Sequence, residues 1–183
     1  MIKVLETTFA TKNKRTEYDK YLSNHISAVQ QAYEEIFKEL LLTESDLTVE
    51  DITKLEDNIK NHDNSKYYDE EYYPYLHWFY PENNEEKNRT EFDYACLHHY
   101  HNNLHHWNHW ILNDDEDKNT DRVLDMPEIY VIEMICDWMS FSKNNPESTA
   151  YKWWVDNQDK MKMTENTKAL VNKYIEYCKE PLK

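Results

Sequence analysis

The chain has 183 residues, contains no glycine and carries a formal net charge of −15. Its length is enough for one domain with a buried core, while the lack of glycine excludes a Walker phosphate loop, a dinucleotide-binding glycine motif and a nucleophile elbow. Tight β-hairpins also lose their preferred turn residue. We therefore predict an all-α protein, a compact helical bundle that forms a single domain over residues 1–183.

The first helix is predicted from Thr16 to Leu42, where apolar residues recur every three or four positions. A second helix is expected to begin after Thr48, because Thr48 has the character of an N-cap and Asp51 stands in the capping-box position. Its apolar stripe leads to His62, where we expect the helix to end.

The middle of the chain is rich in aromatic residues and histidines. Pro74 and Pro81 interrupt the aromatic segment 66–84 and are expected to limit it to one or two helical turns. Helix is predicted again over residues 85–101. Residues 102–122 end in a run of acids and asparagines, which predicts an exposed loop.

A central buried helix is predicted after Pro127, because residues 129–141 are apolar almost all the way round. Glu133 and Asp137 are the only charged residues in this run, and they lie one turn apart on one face.

Two more helices are predicted near the carboxyl end. Asn145 and Pro146 are expected to cap a helix that carries Trp153 and Trp154. Thr164 is expected to begin the last amphipathic helix.

The three cysteines, Cys96, Cys136 and Cys178, are widely spaced and form no CxxC pair. This pattern favours reduced core residues in a cytoplasmic protein. The sequence contains no apolar run of signal-peptide or membrane-span length. Together with the negative charge, this argues against a long nucleic acid or a membrane as partner, and nothing predicts an oligomeric state.

Two histidines occupy apolar stripes on separate predicted helices. His25 follows Leu22 in phase, and His62 continues the stripe of the second helix. A single inward histidine is more often satisfied by a neighbouring group than by a metal. Two such histidines, together with buried Glu133 and Asp137, favour a metal, although an ion pair with Lys or Arg is the alternative for the carboxylates. A mixed shell of this kind suits one or two divalent ions of Mn, Fe, Zn, Co or Ni.

The segment from His62 and Asp63 to Lys66 resembles the His-Asp doublet of the HD-domain superfamily of metal-dependent phosphohydrolases. The resemblance implies an HD-like helical domain in which His25, His62, Asp63 and Asp137 hold one metal ion.

Dinuclear members of that superfamily place further histidines between the doublet and the final aspartate. The resemblance therefore implies His98, His99 and His106 as ligands of a second ion, with a histidine patch on the surface as the alternative. Lys66, His105 and Glu133 are candidates for binding the substrate. The glycine-free sequence departs from the glycine-rich phosphodiesterase branch of the superfamily.

The resemblance also implies roles in hydrolysis. Asp63 and Lys66 are candidate catalytic residues, with Lys66 stabilising the developing negative charge. Glu70 is the candidate general acid, with Asp69 and Glu71 as alternatives, and a solvated acidic loop is the competing interpretation of all three.

The run HHYHNNLHHW, together with HDNSK and EMICDW, resembles an uncharacterised group of short phage and bacterial proteins. We expect the protein in the cytoplasm, which is the host cytoplasm if a phage encodes the chain. The implied activity is hydrolysis of a small phosphate ester, such as a nucleotide or a cyclic nucleotide. The alternatives are a non-catalytic protein that sequesters a nucleotide or another protein, and a di-iron oxygenase with the HD fold.

Overall fold

The computed structural model of the chain describes residues 2–82, 85–113, 121–143, 145 and 147–183. It is 74% helical, which confirms the all-α class. The helices are α1 (Ile2–Ala32), α2 (Lys38–Glu44), α3 (Val49–Lys60), α4 (Asp69–Phe79), α5 (Arg89–Asn102), α6 (Glu128–Ser140), α7 (Ala150–Asn157) and α8 (Glu165–Ile175). A π-helical turn (Tyr33–Phe37) joins α1 to α2, and the strands β1 (Ile111–Asn113) and β2 (Asp121–Val123) pair antiparallel.

The chain divides into two compact units. The smaller unit comprises residues 1–25 and 63–103, and the larger unit comprises residues 26–62 and 104–183. The single domain over residues 1–183 stays a prediction, because compact units of this kind also occur within one domain.

In the smaller unit, α4 packs on α5, and the core of the unit contains both aromatic and aliphatic side chains. Its buried residues are Tyr18, Leu22, Tyr75, Leu76 and Ala95. Aromatic rings bury much area per residue, so Tyr18 and Tyr75 contribute strongly to this small core.

In the larger unit, α6 is the central helix and packs against α3 and α8. Most of its side chains are buried, including Ile132 and Ile135, which are fully enclosed. This confirms the central helix that the apolar run predicted. The free thiols of Cys136 and Cys178 also lie in this core, and burial raises the pKa of both.

Several predicted helix ends are confirmed by their caps. The Thr48 hydroxyl accepts from the backbone N–H of Asp51 at 3.1 Å, and the Asp51 carboxylate accepts from the backbone N–H of Thr48 at 3.0 Å. Thr164 caps α8 in the same way, by accepting from the backbone N–H of Thr167. The long first helix is also confirmed, although it begins before Thr16.

The predicted limit of one or two turns in the aromatic segment is wrong, because α4 has 11 residues and contains Pro74. Proline at this position removes the bond to the carbonyl of Glu70, which lies in the first turn. Glu70 is exposed, so water can replace that bond.

The predicted exposed loop over residues 102–122 is also wrong for the part that the structure describes. His105 is buried, Trp107–Trp110 form a 3-10 turn, and β1 pairs with β2. The acidic residues 114–120 lie outside the described residues.

Two helix starts differ from prediction. Helix α5 begins at Arg89 rather than at residue 85, because the Asn88 side chain caps it by accepting from the backbone N–H of Glu91. The cap of α7 is Thr149 rather than Asn145, since the Thr149 hydroxyl accepts from Lys152. Pro146 lies outside the described residues.

No helix in the described ranges has both the length and the apolar character needed to cross a membrane.

Candidate metal centre

His62 lies at the end of the apolar stripe of α3. Leu55 and Ile59 precede it on that stripe and are buried, and His62 itself is 1% exposed. The inward direction predicted from the periodicity is therefore confirmed. The helix ends at Lys60, which leaves His62 on the turn that follows it.

Glu133 of α6 binds two imidazole rings through one oxygen. Its Oε1 atom lies 3.0 Å from Nδ1 of His62 and 3.1 Å from Nδ1 of His105. A carboxylate can only accept, so each ring donates its Nδ1 proton to Glu133. These two bonds compensate for burying a charge that is 5% exposed.

The same contacts set the charge of Glu133. Burial by itself would raise the pKa of Glu133, but His105 and His62 outweigh it and lower that pKa to about 2. Glu133 is therefore ionised over the whole physiological pH range.

His62, His105 and Asp137 form a group that can hold a metal ion. Each offers one ligand atom, and the three atoms lie within 4.8 Å of one another. Nε2 of His62 lies 3.8 Å from Oδ1 of Asp137. Ligand atoms about 2.1 Å from a tetrahedral ion are about 3.4 Å apart, so small side-chain shifts bring this group to an ion.

The chemistry of these donors fits a divalent ion. Because the Nδ1–H groups of His62 and His105 donate to Glu133, a metal can bind each ring through Nε2. Two imidazole nitrogens and one carboxylate oxygen suit Mn, Fe, Zn, Co or Ni. The His106 ring is half-buried and lies 4.2 Å from the His105 ring, centroid to centroid.

In the smaller unit, Asp63 is the centre of a second polar cluster. Its Oδ2 atom lies 2.6 Å from Nζ of Lys66 and 3.2 Å from Nε2 of His25, and its Oδ1 atom lies 3.4 Å from Nε2 of His99. Asp63 is 2% exposed, so this carboxylate is neutralised by its neighbours rather than by water.

The backbone of Asp63 is left-handed, with a φ of 55°. It is the only non-glycine residue with positive φ in the described part of the chain. Such a conformation costs an L-residue about 1 kcal/mol, and Asp and Asn tolerate it best. The turn lets Asp63 leave the axis of the preceding helix and point its carboxylate at His25 and Lys66.

Glu71 of α4 is fully buried and holds the double histidine of α5. Its Oε1 atom lies 2.7 Å from Nδ1 of His98, and its Oε2 atom lies 2.8 Å from Nδ1 of His99. Burial would raise the pKa of Glu71, but hydrogen bonds from His99, His98 and the Ser65 hydroxyl lower it overall. Glu71 is therefore an ionised acceptor, which is not the state of a general acid.

His99 is the most enclosed of the histidines that the resemblance assigned to a second ion. Burial lowers its pKa, although Glu71 and Asp63 oppose that effect. His98 is half-buried at the edge of the cluster, and Glu70, the candidate acid, is exposed.

The sequence pattern missed the roles of His105 and Glu71. His105 follows the end of α5, where no periodicity indicates burial. Glu71 belongs to a run of three acids, a pattern typical of a solvated surface. It nevertheless lies four residues before buried Tyr75 on the same face of α4. The spacing of four residues between Glu71 and Tyr75 was the feature of the sequence that could have predicted the burial of Glu71.

A family model described as a family of unknown function, DUF5662, matches residues 14–178. No curated protein and no solved structure matches the chain.

Proposed function

The chain belongs to the DUF5662 family of unknown function, and we propose that it is a metal-dependent phosphohydrolase of the HD-domain type that acts on a small phosphate ester. The observation that carries the proposal is the group of buried His62, buried His105 and half-buried Asp137, whose ligand atoms lie within 4.8 Å of one another. Burying two imidazoles and a carboxylate around one point costs free energy unless a cation or a proton compensates.

The number and type of the metal ligands also favour a catalytic site over a structural one. Structural zinc sites are usually closed by four protein ligands, often cysteines, whereas catalytic sites use three protein ligands and leave one position for water or substrate. His62, His105 and Asp137 supply three ligands and no thiolate. The HD resemblance assigns His25 and Asp63 to the same ion as His62 and Asp137, and that assignment stays a prediction.

A divalent ion bound here supplies Lewis-acid chemistry, because it lowers the pKa of a water and neutralises phosphoryl oxygens. The chain's own residues orient the reactants. Glu133 holds the rings of His62 and His105 through their Nδ1 protons. The HD resemblance assigns to Lys66, which contacts Asp63 at 2.6 Å, the stabilisation of the developing phosphate charge.

The proposed general acid is Glu70. It is exposed on the first turn of α4, while the neighbouring carboxylate of Glu71 is occupied by histidine donors. A general acid must be protonated when the leaving oxygen departs, which favours Glu70 over Glu71.

We propose a nucleotide or a cyclic nucleotide as the substrate, and the cytoplasm as the location. A small phosphate ester is compatible with the net charge of −15, because a bound cation offsets repulsion locally. Tyr67, Tyr68 and Tyr73 are exposed in the same unit as Lys66, and exposed rings of this kind can stack on a base.

The proposal is tested by phosphate release from a panel of nucleotides and cyclic nucleotides, with protein purified without a histidine tag and supplied with each candidate metal. We expect turnover that chelator abolishes and metal restores. Asp137→Asn should lose at least 100-fold in kcat/KM, and His101→Ala, on an exposed histidine, should not.

Other outcomes identify the alternatives. Bound metal with a nucleotide that returns unchanged after heat denaturation would indicate a sequestering protein. Two irons with a charge-transfer absorption band and no phosphate release would indicate a di-iron oxygenase. Either result overturns the hydrolase.

A further inference from the structure

Glu71 occupies a position that normally holds an apolar residue. It is 0% exposed and shares a face of α4 with buried Tyr75. An ionised carboxylate at such a place is costly unless several donors reach it. His98 and His99 are two of those donors, at 2.7 and 2.8 Å.

The two histidines are consecutive on α5, which makes the arrangement specific. Successive residues on a helix point about 100° apart and do not usually face one partner. Here each ring turns its Nδ1 atom towards a different oxygen of the same carboxylate. Glu71 therefore fixes the rotation of both rings as well as their protons.

Neighbouring groups hold this geometry. The Asn103 amide donates to the backbone carbonyl of His99 at 2.8 Å and to the Ser65 hydroxyl at 2.7 Å. Its nitrogen also lies 3.0 Å from Nδ1 of His99, but those two acceptors take both amide protons. The Ser65 hydroxyl in turn donates to Glu71. The end of α5 and the turn after Asp63 are thus tied to the same carboxylate.

We infer that Glu71 is a positioning residue that keeps the Nδ1 protons on His98 and His99, so that His99 presents the lone pair of Nε2 beside Asp63. Nε2 of His99 lies 3.4 Å from Oδ1 of Asp63, so the lone pair lies next to the carboxylate that contacts Lys66. A carboxylate bound to the far nitrogen of a histidine fixes its tautomer and raises its strength as a ligand. The use of that lone pair for a metal rests on the proposed function, but the tautomer itself does not.

The tautomers are measured directly by long-range proton–nitrogen correlation spectra of the metal-free protein, labelled with nitrogen-15 in its histidine rings, at pH 8. In the wild-type protein we expect His98 and His99 to carry a proton on Nδ1 and none on Nε2. A protonated Nε2 on His99 overturns the inference, and this result needs no variant.

Glu71→Gln gives a second, independent test. A glutamine side chain has one acceptor oxygen and one donor amide, so only one of the two rings can keep its Nδ1 proton. The other ring should switch to the Nε2–H tautomer. Glu91→Gln, on an exposed glutamate of α5, is the matched control and should leave both rings unchanged.

The result that overturns the inference is a Glu71→Gln protein in which both rings keep the wild-type tautomer. Because the spectra are recorded without metal or substrate, a failure of the hydrolase proposal leaves them unaffected. A failure of the tautomer prediction likewise leaves the phosphate-release assay to decide the activity.

Discussion

Nδ1 of His62 donates to Oε1 of Glu133 at 3.0 Å, although the two residues are 71 positions apart in the chain. The same oxygen accepts from Nδ1 of His105 at 3.1 Å. One buried carboxylate therefore orients two histidine rings through their Nδ1 protons, and Nε2 is the atom through which each ring can bind a metal. A histidine pair held by one buried carboxylate recurs in the smaller unit, where Glu71 binds His98 and His99.

Glu133→Gln should weaken metal binding by about 10- to 100-fold, which is the usual effect of removing an outer-shell partner. The glutamine oxygen can accept one Nδ1 proton, but its amide would face the other ring with a donor. Affinity is measured by competition with a chromophoric chelator. Glu50→Gln, on an exposed glutamate of α3, is the control, and equal affinities for the two variants would contradict the role of Glu133.

Asp137→Asn and His105→Ala should each weaken metal binding by more than about 100-fold, because removing a direct ligand costs more than removing an outer-shell partner. His101→Ala should stay within about twofold of the wild-type protein, since His101 is exposed at the end of α5. Calorimetric titration with zinc measures all three. A His101 variant as weak as the other two would show that binding occurs at a surface patch.

The free energy of unfolding of the metal-free protein should fall as the pH falls below about 5. The pKa of Glu133 is about 2 in the folded protein and near 4.5 for an unperturbed glutamate. Its stabilising contribution is therefore present above pH 4.5 and is lost towards pH 2. The whole contribution is on the order of 3 kcal/mol.

His99 also makes the free energy of unfolding fall as the pH falls. Burial lowers its pKa from 6.5 in the folded state, so the unfolded chain takes up the proton first and stability falls as the pH drops below 6.5. Urea unfolding in the presence of chelator, at pH 7, 5 and 4, measures the loss. Glu133→Gln should lose less stability than the wild-type protein below pH 5, and an equal loss would contradict the assignment to Glu133.

Because the backbone of Asp63 is left-handed, we expect Asp63→Gly to be more stable than Asp63→Ala. Asp63→Ala and Asp63→Gly both remove the carboxylate, but only glycine adopts a φ of 55° without steric cost. We expect the alanine variant to be less stable by about 1 kcal/mol in urea unfolding. At Asn61, where φ is −103°, alanine should be no worse than glycine. The same order at both positions would contradict a strained backbone at Asp63.

The sequence predicted those parts of the site whose positions depend on helix periodicity. His62 follows Leu55 and Ile59 in phase, so its burial was predictable from spacing. Glu133 and Asp137 are the only charged residues in the apolar run 129–141, and of these Glu133 is buried and Asp137 is half-buried. The cap at Thr48 could also be predicted, because its partner Asp51 is only three residues away in the sequence.

What spacing could not predict depends on tertiary packing. His105 lies beyond the end of α5, where side-chain direction follows no repeat, and its burial results from contacts such as that with Glu133. Glu71 follows Asp69 and Glu70, which are exposed, and its burial is explained by its donors His98 and His99 on α5 and the Ser65 hydroxyl.

The central claim is that buried histidines and a carboxylate hold a divalent ion, and X-ray absorption spectroscopy of untagged, zinc-loaded protein tests it most directly. The account predicts about one tightly held ion that survives gel filtration, with a shell of nitrogen and oxygen at about 2.0 Å and the multiple scattering of two imidazole rings. An ion lost on gel filtration, or a shell without imidazole, would contradict it.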